Sequence, residues 1–530
     1  MTERRVLDSW KQISSYLRRS ERTCRTWETA NGLPVHRIHN SPRARVFAYA
    51  DELDRWLQRT VSSSAGEYPI AVLPLRNLSP DSGQDQLADA LTEGLIAELG
   101  SLSAFRVISR RSVWRYRDST KALSLIGREL GVKAVVDGSV LRSGDRVRIS
   151  AALYQTSPER RLWADDLERE MTDVLDLQRD IVRDVALKVE AVLTPGQAER
   201  LSVRRPVVPD AYEEFMKGLA ALRGPIIKPN LEAAVRYFEE AIRIDGGFAL
   251  AFAEIGWCYG ELALYSFVPP SDALPKQKAA ALRAVELDPL LAQGHAVLAN
   301  AAALGDWDWT AAEKHFCRAL ELDPNSFRVN YNRMVYLCWM GRLDEMADSL
   351  KKLRALDPID PYGLWIAGWG YFWARRYDES IAVLERMRQE MPSNHLVRMV
   401  LGIDHWFKGM GAEAGPACAR ARAAAPIGTD LILDAILAFV CAKSGSPEDA
   451  RSTLAAWSGI SGQRLIDPTL QAIIHTGLGD KESALACLEK GYAEHAPMMV
   501  FLKTAVFFDE LREEPRFRRL LGLMKFPESP

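Results

Sequence analysis

"LDPNSFRVNYNRMVYLCWMGRLDEMADSLKKLRALDP", residues 322 to 358, opens and closes on the same Leu-Asp-Pro triplet. Its prolines, Pro324 and Pro358, belong to a series with Pro289, Pro392 and Pro426, and the successive separations are 35, 34, 34 and 34 residues. Proline cannot continue a helix, so each one marks a stop in the same register. Positions between the stops keep that register too. Ala234, Phe238 and Ala241 recur as Ala312, Phe316 and Ala319, and the small residues let two antiparallel helices approach closely.

A 34-residue period of this kind resembles the tetratricopeptide repeat, a helix pair that cannot bury its apolar face alone. Gly368 and Tyr371 match the close-contact positions of a first helix, whereas other units carry Asn300, Met334 or Ala472 at the Gly position. From Pro209 to about Pro497 the pattern predicts roughly eight helix pairs. One of them is stretched by "YSFVPPSDALP", and "EEPRFRRLLGLMKF" reads as a capping helix. Stacked units are expected to share one core and curve into a superhelix with a concave groove, which implies a protein or peptide partner in that groove. Trp257, Trp307, Trp309, Trp339, Trp365, Trp369 and Trp373 read mainly as interhelix packing, with a peptide-binding groove as the other use. His295, His315, His395, His405, His475 and His495 form no catalytic cluster that spacing reveals.

Upstream of the repeats, residues 195–209 form a Pro-containing linker, and residues 70–194 change period. "IAVLPL", "FRVIS", "KAVVDGSVLR", "RVRISAALYQ" and "RRLWADDLER" read as strands, the fourth with Val147, Ile149, Ala151 and Leu153 in alternation. Leu87, Leu91, Leu95 and Leu99 lie at helical spacing, as do Leu177, Ile181, Val185 and Val189. These elements predict a mixed sheet packed by helices. Their order, from "IAVLPLRNLSPD" through "ELGVKAVVDGSVLRSGDRVRISAALYQ" to "LWADDLERE", resembles the TolB-like amino-terminal domain, related to the FlgO family. That resemblance implies protein assembly and supplies no catalytic residue. Asp137, Asp165 and Asp166 lack a partner His or Lys at recognisable spacing and read as surface or turn residues.

Residues 61–69 read as a flexible connector, and the first sixty residues stand apart by charge. They hold 12 Lys and Arg against 7 Asp and Glu, a local net of +5 that leaves −7 for the rest of a chain whose total is −2. "DSWKQISSYL" predicts one helix with Trp10, Ile13 and Leu17 on one face, capped by Asp8 or Ser9, and "SERTCRTWETA" a second capped by Ser20. "VHRI" and "RVFAY" flank Asn40-Ser41-Pro42 as a β-hairpin, and Asp51 would cap a closing helix with Leu53, Trp56 and Leu57. The segment resembles the winged helix-turn-helix of excisionase and MerR-related DNA-binding domains. The resemblance implies that Arg22, Arg25 and Thr26 face the major groove and that Arg37, Arg43 and Arg45 touch backbone phosphates. The His36-x-x-His39 spacing reads as wing polarity, not as a metal site.

The totals exclude other classes. Hydrophobic content of 48% and charged content of 26% are ordinary globular values. No apolar run is long enough to span a membrane, and "MTERRVLDSW" has no secretory character. Seven dispersed cysteines read as small buried hydrophobes. The chain is therefore expected to be multidomain: a winged helix-turn-helix, residues 1–60; an α/β mixed-sheet domain, residues 70–194; and an all-α tetratricopeptide superhelix, residues 210–530. The function expected is that of a cytoplasmic, bacterial, DNA-binding transcriptional regulator. Its expected partners are double-stranded DNA and a groove-bound protein, with homodimerisation as a route to operator specificity. No enzymatic activity, cofactor or metal is expected. The first alternative is a non-catalytic assembly or signalling scaffold whose basic end binds a protein and not DNA, and a second is an enzyme of unfamiliar type with a nucleotide site in the α/β domain.

Overall fold

The computed structural model describes residues 6–16, 21, 24–25, 28, 33–37, 46–50, 52–53, 67–79, 84–191, 193, 197, 201, 207–223, 226–358, 361–391, 395–410, 430–460 and 464–527. Chain contacts divide it into two compact units, residues 1–207 with 323–325 and residues 208–322 with 326–530.

In the first unit, β1 (Val6–Leu7), β2 (His36–Arg37) and β3 (Val46–Tyr49) form an antiparallel sheet in the order β1-β3-β2. The β2–β3 pairing agrees with the expected hairpin, whose turn at Asn40-Ser41-Pro42 lies outside the described residues; β1 carries no such signal in the sequence. Helix α1 (Trp10–Tyr16) begins on a reciprocal cap. The Gln12 amide donates to Ser9 Oγ at 3.2 Å, and the Asp8 amide donates to Gln12 Oε1 at 3.0 Å. Leu7, Ile13, Cys24, Leu33, Val46, Ala48 and Leu53 close a small core around these elements.

The same unit contains a mixed sheet in the order β6-β4-β7-β8-β9. Its strands are β4 (Tyr68–Val72), β5 (Arg76–Asn77), β6 (Phe105–Val107), β7 (Ala134–Ser143), β8 (Arg146–Thr156) and β9 (Glu159–Glu170), and β5 pairs with β7. Its helices are α2 (Asp85–Gly100), α3 (Arg110–Trp114), α4 (Leu123–Leu130) and α5 (Val174–Lys188). Ile70, Ala71 and Val72 of β4 and Ala134, Val135 and Val136 of β7 are all buried, as parallel strands covered on both faces require. In β8 the alternating Val147, Ile149, Ala151 and Leu153 are buried while Arg146 and Arg148 are exposed. The edge strand β9 is charged, and its Glu168 binds both of those arginines. Leu87, Leu91, Leu95 and Leu99 are buried in α2 and Leu177, Ile181 and Val185 in α5, but Val189 is only half-buried because α5 ends at Lys188.

The second unit is built of antiparallel helix pairs, as the 34-residue period predicts. In order they are α6 (Pro209–Ala221) with α7 (Lys228–Ile244), α8 (Ala249–Leu264) with α9 (Pro270–Leu287), and α10 (Ala292–Ala301) with α11 (Trp309–Leu322). There follow α12 (Phe327–Met340) with α13 (Leu343–Leu356), and α14 (Pro361–Trp373) with α15 (Tyr377–Glu390). Next come α16 (His395–Phe407), whose following residues 411–429 are not described, α17 (Leu431–Lys443) with α18 (Pro447–Ile460), and α19 (Pro468–Gly477) with α20 (Lys481–Ala493). The repeated Ala234, Phe238 and Ala241, and Ala312, Phe316 and Ala319, are fully buried. A Cβ on Gly218 would stand 2.3 Å from the Phe238 ring, and one on Gly368 would stand 2.6 Å from Leu384. Small residues thus let these two pairs close.

The carboxy-terminal stretch does more than cap the stack. Helix α21 (Pro515–Met524) buries Phe517, Leu520 and Met524, and Trp309 Nε1 donates to the Met524 carbonyl at 2.9 Å. Before it, the 3-10 turns Pro497–Phe501 and Val506–Leu511 lie against first helices of several repeats. Phe501 stacks on Trp373 of α14 at 4.5 Å, and Phe507 packs on Phe439 of α17 at 5.2 Å. The face expected to form an open groove is therefore covered in part by the chain itself. Expecting only a capping helix missed this, because "MMVFLKTAVFFDEL" has no long helical period to announce it.

Candidate functional site

Of the residues expected to contact DNA, Arg22, Thr26, Arg43 and Arg45 lie outside the described residues. Arg25 is exposed on a helical turn, 3.7 Å from Glu21, with its guanidinium 5.2 Å over the Trp10 ring. Arg37 is only partly exposed. It makes a two-pronged ion pair with Glu28, the longer arm at 3.0 Å, and this pairing raises its pKa further. Arg37 thereby ties β2 to the helical residues around Glu28. His36 lies on the Phe47 ring and meets Glu52 Oε2 at 2.5 Å.

The tryptophans pack against the repeat cores as expected of most of them, and some of them also border a cavity. Trp309 and Trp339 are buried, but Trp365, Trp369 and Trp373 of α14 keep part of their rings open. These three and Trp339 line one cavity of about 410 Å³ whose walls come from first helices of the repeats and from the turns of residues 497–511. Trp365 and Trp369 stand edge to face at 5.7 Å, and Trp369 and Trp373 stack at 6.5 Å. Asp430, the cap of α17, adds a carboxylate: its Oδ1 accepts from the Ile432 and Leu433 amides at 3.0 and 3.1 Å. Burial pushes the Asp430 carboxyl up. Ion pairs secure the covering segment at its rim. Arg375 binds Asp509 through two contacts of 2.8 Å, and Lys443 reaches Glu510 at 2.6 Å.

A second cavity, of about 810 Å³, has more charged residues in its lining, among them Lys278 and Asp306, which pair at 2.7 Å, and Asp467 and Glu494. His495 on its wall stacks on Trp307 at 3.9 Å. His295 and His315, twenty positions apart in the sequence, meet Nδ1 to Nδ1 at 3.1 Å; consecutive helices of one pair bring them together, which a search for short motifs does not detect. Among the described residues, no group of three or more His, Cys, Asp and Glu could hold a metal, and no helix is long and apolar enough to cross a membrane. Of the described cysteines, Cys24, Cys258, Cys338 and Cys441 are buried as expected, whereas Cys317 is exposed and Cys487 half-buried.

No family model matches the chain. Among curated proteins it is 32% identical over 237 residues to the protein named "Putative adenylate cyclase 3" of Rhizobium meliloti (strain 1021). The match takes in 44% of this chain and 40% of that protein, so the chain spans well under half the length of the relative. This corrects the expectation that the chain has no enzymatic character, since the relative bears an enzyme's name. Solved structures similar to it include a thermophilic TPR protein of Thermus thermophilus, at 19% identity and a TM-score of 0.31 over 37% of this chain and 98% of that one. Another is the human IFIT1 dimer with m7Gppp-AAAA, at 13% identity and a TM-score of 0.40 over 60% and 77%. PilW, a type IV pilus biogenesis factor, stands at 14% identity and a TM-score of 0.33 over 40% and 92%.

Proposed function

We propose that the chain is a signalling scaffold whose helical repeats hold a protein partner on the face shared by their first helices. The observation that carries this reading is the covering of that face by residues 497–511, an apolar segment held at its rim by exposed ion pairs. Those rim pairs contribute little net stability, about 0–1 kcal/mol each, and the buried Met499, Val500, Phe507 and Phe508 anchor the segment, so a partner meets the first-helix surface beside it and the rim that the ion pairs close. The partial match to a protein named as an adenylate cyclase supports a setting in cyclic-nucleotide signalling. The test is cross-linking mass spectrometry in cells with the full chain and with an Arg375→Ala/Lys443→Ala variant. Cross-links from one protein to α12, α14 and α17, increased in the variant, support the reading. Cross-links confined to other faces, unchanged in the variant, refute it.

A second reading rests on the local charge of +5 over residues 1–60 and on the exposed Arg25. In it, residues 1–60 are a winged helix-turn-helix that binds duplex DNA, the TolB-like domain spans residues 70–194, and the chain regulates transcription. Duplex binding by the full chain that weakens with salt and is lost in Arg22→Ala/Arg25→Ala favours it. Binding to an acidic protein, with no duplex binding, sinks it.

A further inference from the structure

We propose that the 410 Å³ cavity is a binding site for a small cationic amphiphile, an amine or quaternary ammonium carried on an apolar body. This goes beyond the partner reading and stands without it.

Size sets the class first. The volume falls within the range of about 300–1,000 Å³ that suits small organic ligands. The covering segment contributes Met498, Phe501, Ala505 and Phe508 to the lining and so bounds the cavity on one side, as a compact small molecule requires.

Charge then selects among small molecules. Asp430 is the sole charged residue among the described lining residues, which include no Lys, Arg or His. Its carboxylate is held in place by the two amides of α17, and its own repulsion disfavours a ligand with an acidic head. Arg464, outside the lining, offsets part of that charge. The aromatic surfaces supply the rest of the attraction. Tyr265, Tyr331, Trp365, Trp369 and Trp373 are all partly exposed and all border the cavity. The negative faces of such rings attract a cation, and indole does so most strongly. The edge-to-face setting of Trp365 and Trp369 presents ring faces in two directions, as a rounded ammonium group requires.

The test is isothermal titration of the full chain with benzyltrimethylammonium, neutral N-benzylacetamide and anionic phenylacetate. The expected result is binding of the cation at least about tenfold tighter than the neutral probe, with the anion weakest. Asp430→Asn keeps a capping side chain and is expected to erase most of the preference for the cation over the anion. Trp365→Leu is expected to weaken the cation about tenfold or more, with the melting temperature of each free variant reporting that it folds. Equal affinity for the cation and the neutral probe overturns the proposal, as does cation binding that survives both substitutions unchanged. Failure of all three probes to bind the folded chain also overturns it, whatever the outcome of the cross-linking.

Discussion

Asp404 of α16 is fully buried and is an acid among apolar neighbours, so replacing it isolates one charge in the repeat core. Its Oδ2 lies 2.6 Å from Ser380 Oγ, whose hydroxyl also reaches the Gly368 carbonyl at 2.9 Å, while its Oδ1 has no hydrogen-bond partner. Burial outweighs that hydroxyl and pushes the carboxyl from 3.8 up to about 7. The sign follows by linkage. Between about pH 4 and pH 7 the native chain keeps a proton that the unfolded chain has released, so stability falls as pH rises through that window. At about 1.4 kcal/mol per pH unit, the gap between 3.8 and about 7 amounts to about 4 kcal/mol of destabilisation once the native carboxyl ionises. Asp404→Asn removes this penalty and retains an acceptor for Ser380. The assay is urea unfolding of wild type and variant at about pH 4 and about pH 8. The variant should gain about 3–4 kcal/mol relative to wild type between the two pH values. A stability difference that is the same at both would refute the assignment of a raised pKa to this buried acid.

Gly477→Ala should destabilise the repeats by about 1–3 kcal/mol, because its Cβ would stand 2.8 Å from the Phe439 backbone. Gly459→Ala, with nothing within 4 Å, should cost nothing; thermal melts of both variants check the contrast. Phe316→Ala empties a fully buried position and should cost about 3–5 kcal/mol by denaturant unfolding. Arg37→Ala, which breaks the pair to Glu28, should lower stability by about 1 kcal/mol. Arg25→Ala should stay within about 0.5 kcal/mol in the same melts. If the second functional reading holds, Arg25→Ala also lowers the slope of log affinity against log salt by about one.

Much of the fold was legible because each element advertises its own buried face. The period of 34 residues locates the helix pairs, and Ala312, Phe316 and Ala319 are buried as their recurrence predicts. Alternation in β8 and the leucine spacing of α2 likewise match burial residue by residue. The candidate site was far less legible. Trp365, Trp369 and Trp373 were visible as an aromatic run, but that run alone does not distinguish interhelix packing from a cavity wall.

Which faces meet is set by packing at long range. Asp430 reaches the cavity from α17, Tyr265 follows α8, and Phe501 and Phe508 come from beyond the last repeat pair. At shorter range, His315 meets His295 and Asp404 meets Ser380 across neighbouring helices, 20 and 24 positions apart. The repeating helices, the main strands of the mixed sheet and the positive amino-terminal charge can all be read along the chain, because they depend on residues close in it. The covered first-helix face and its aromatic cavity depend on contacts between residues from 67 to 134 positions apart and beyond, whose pairing no local period encodes.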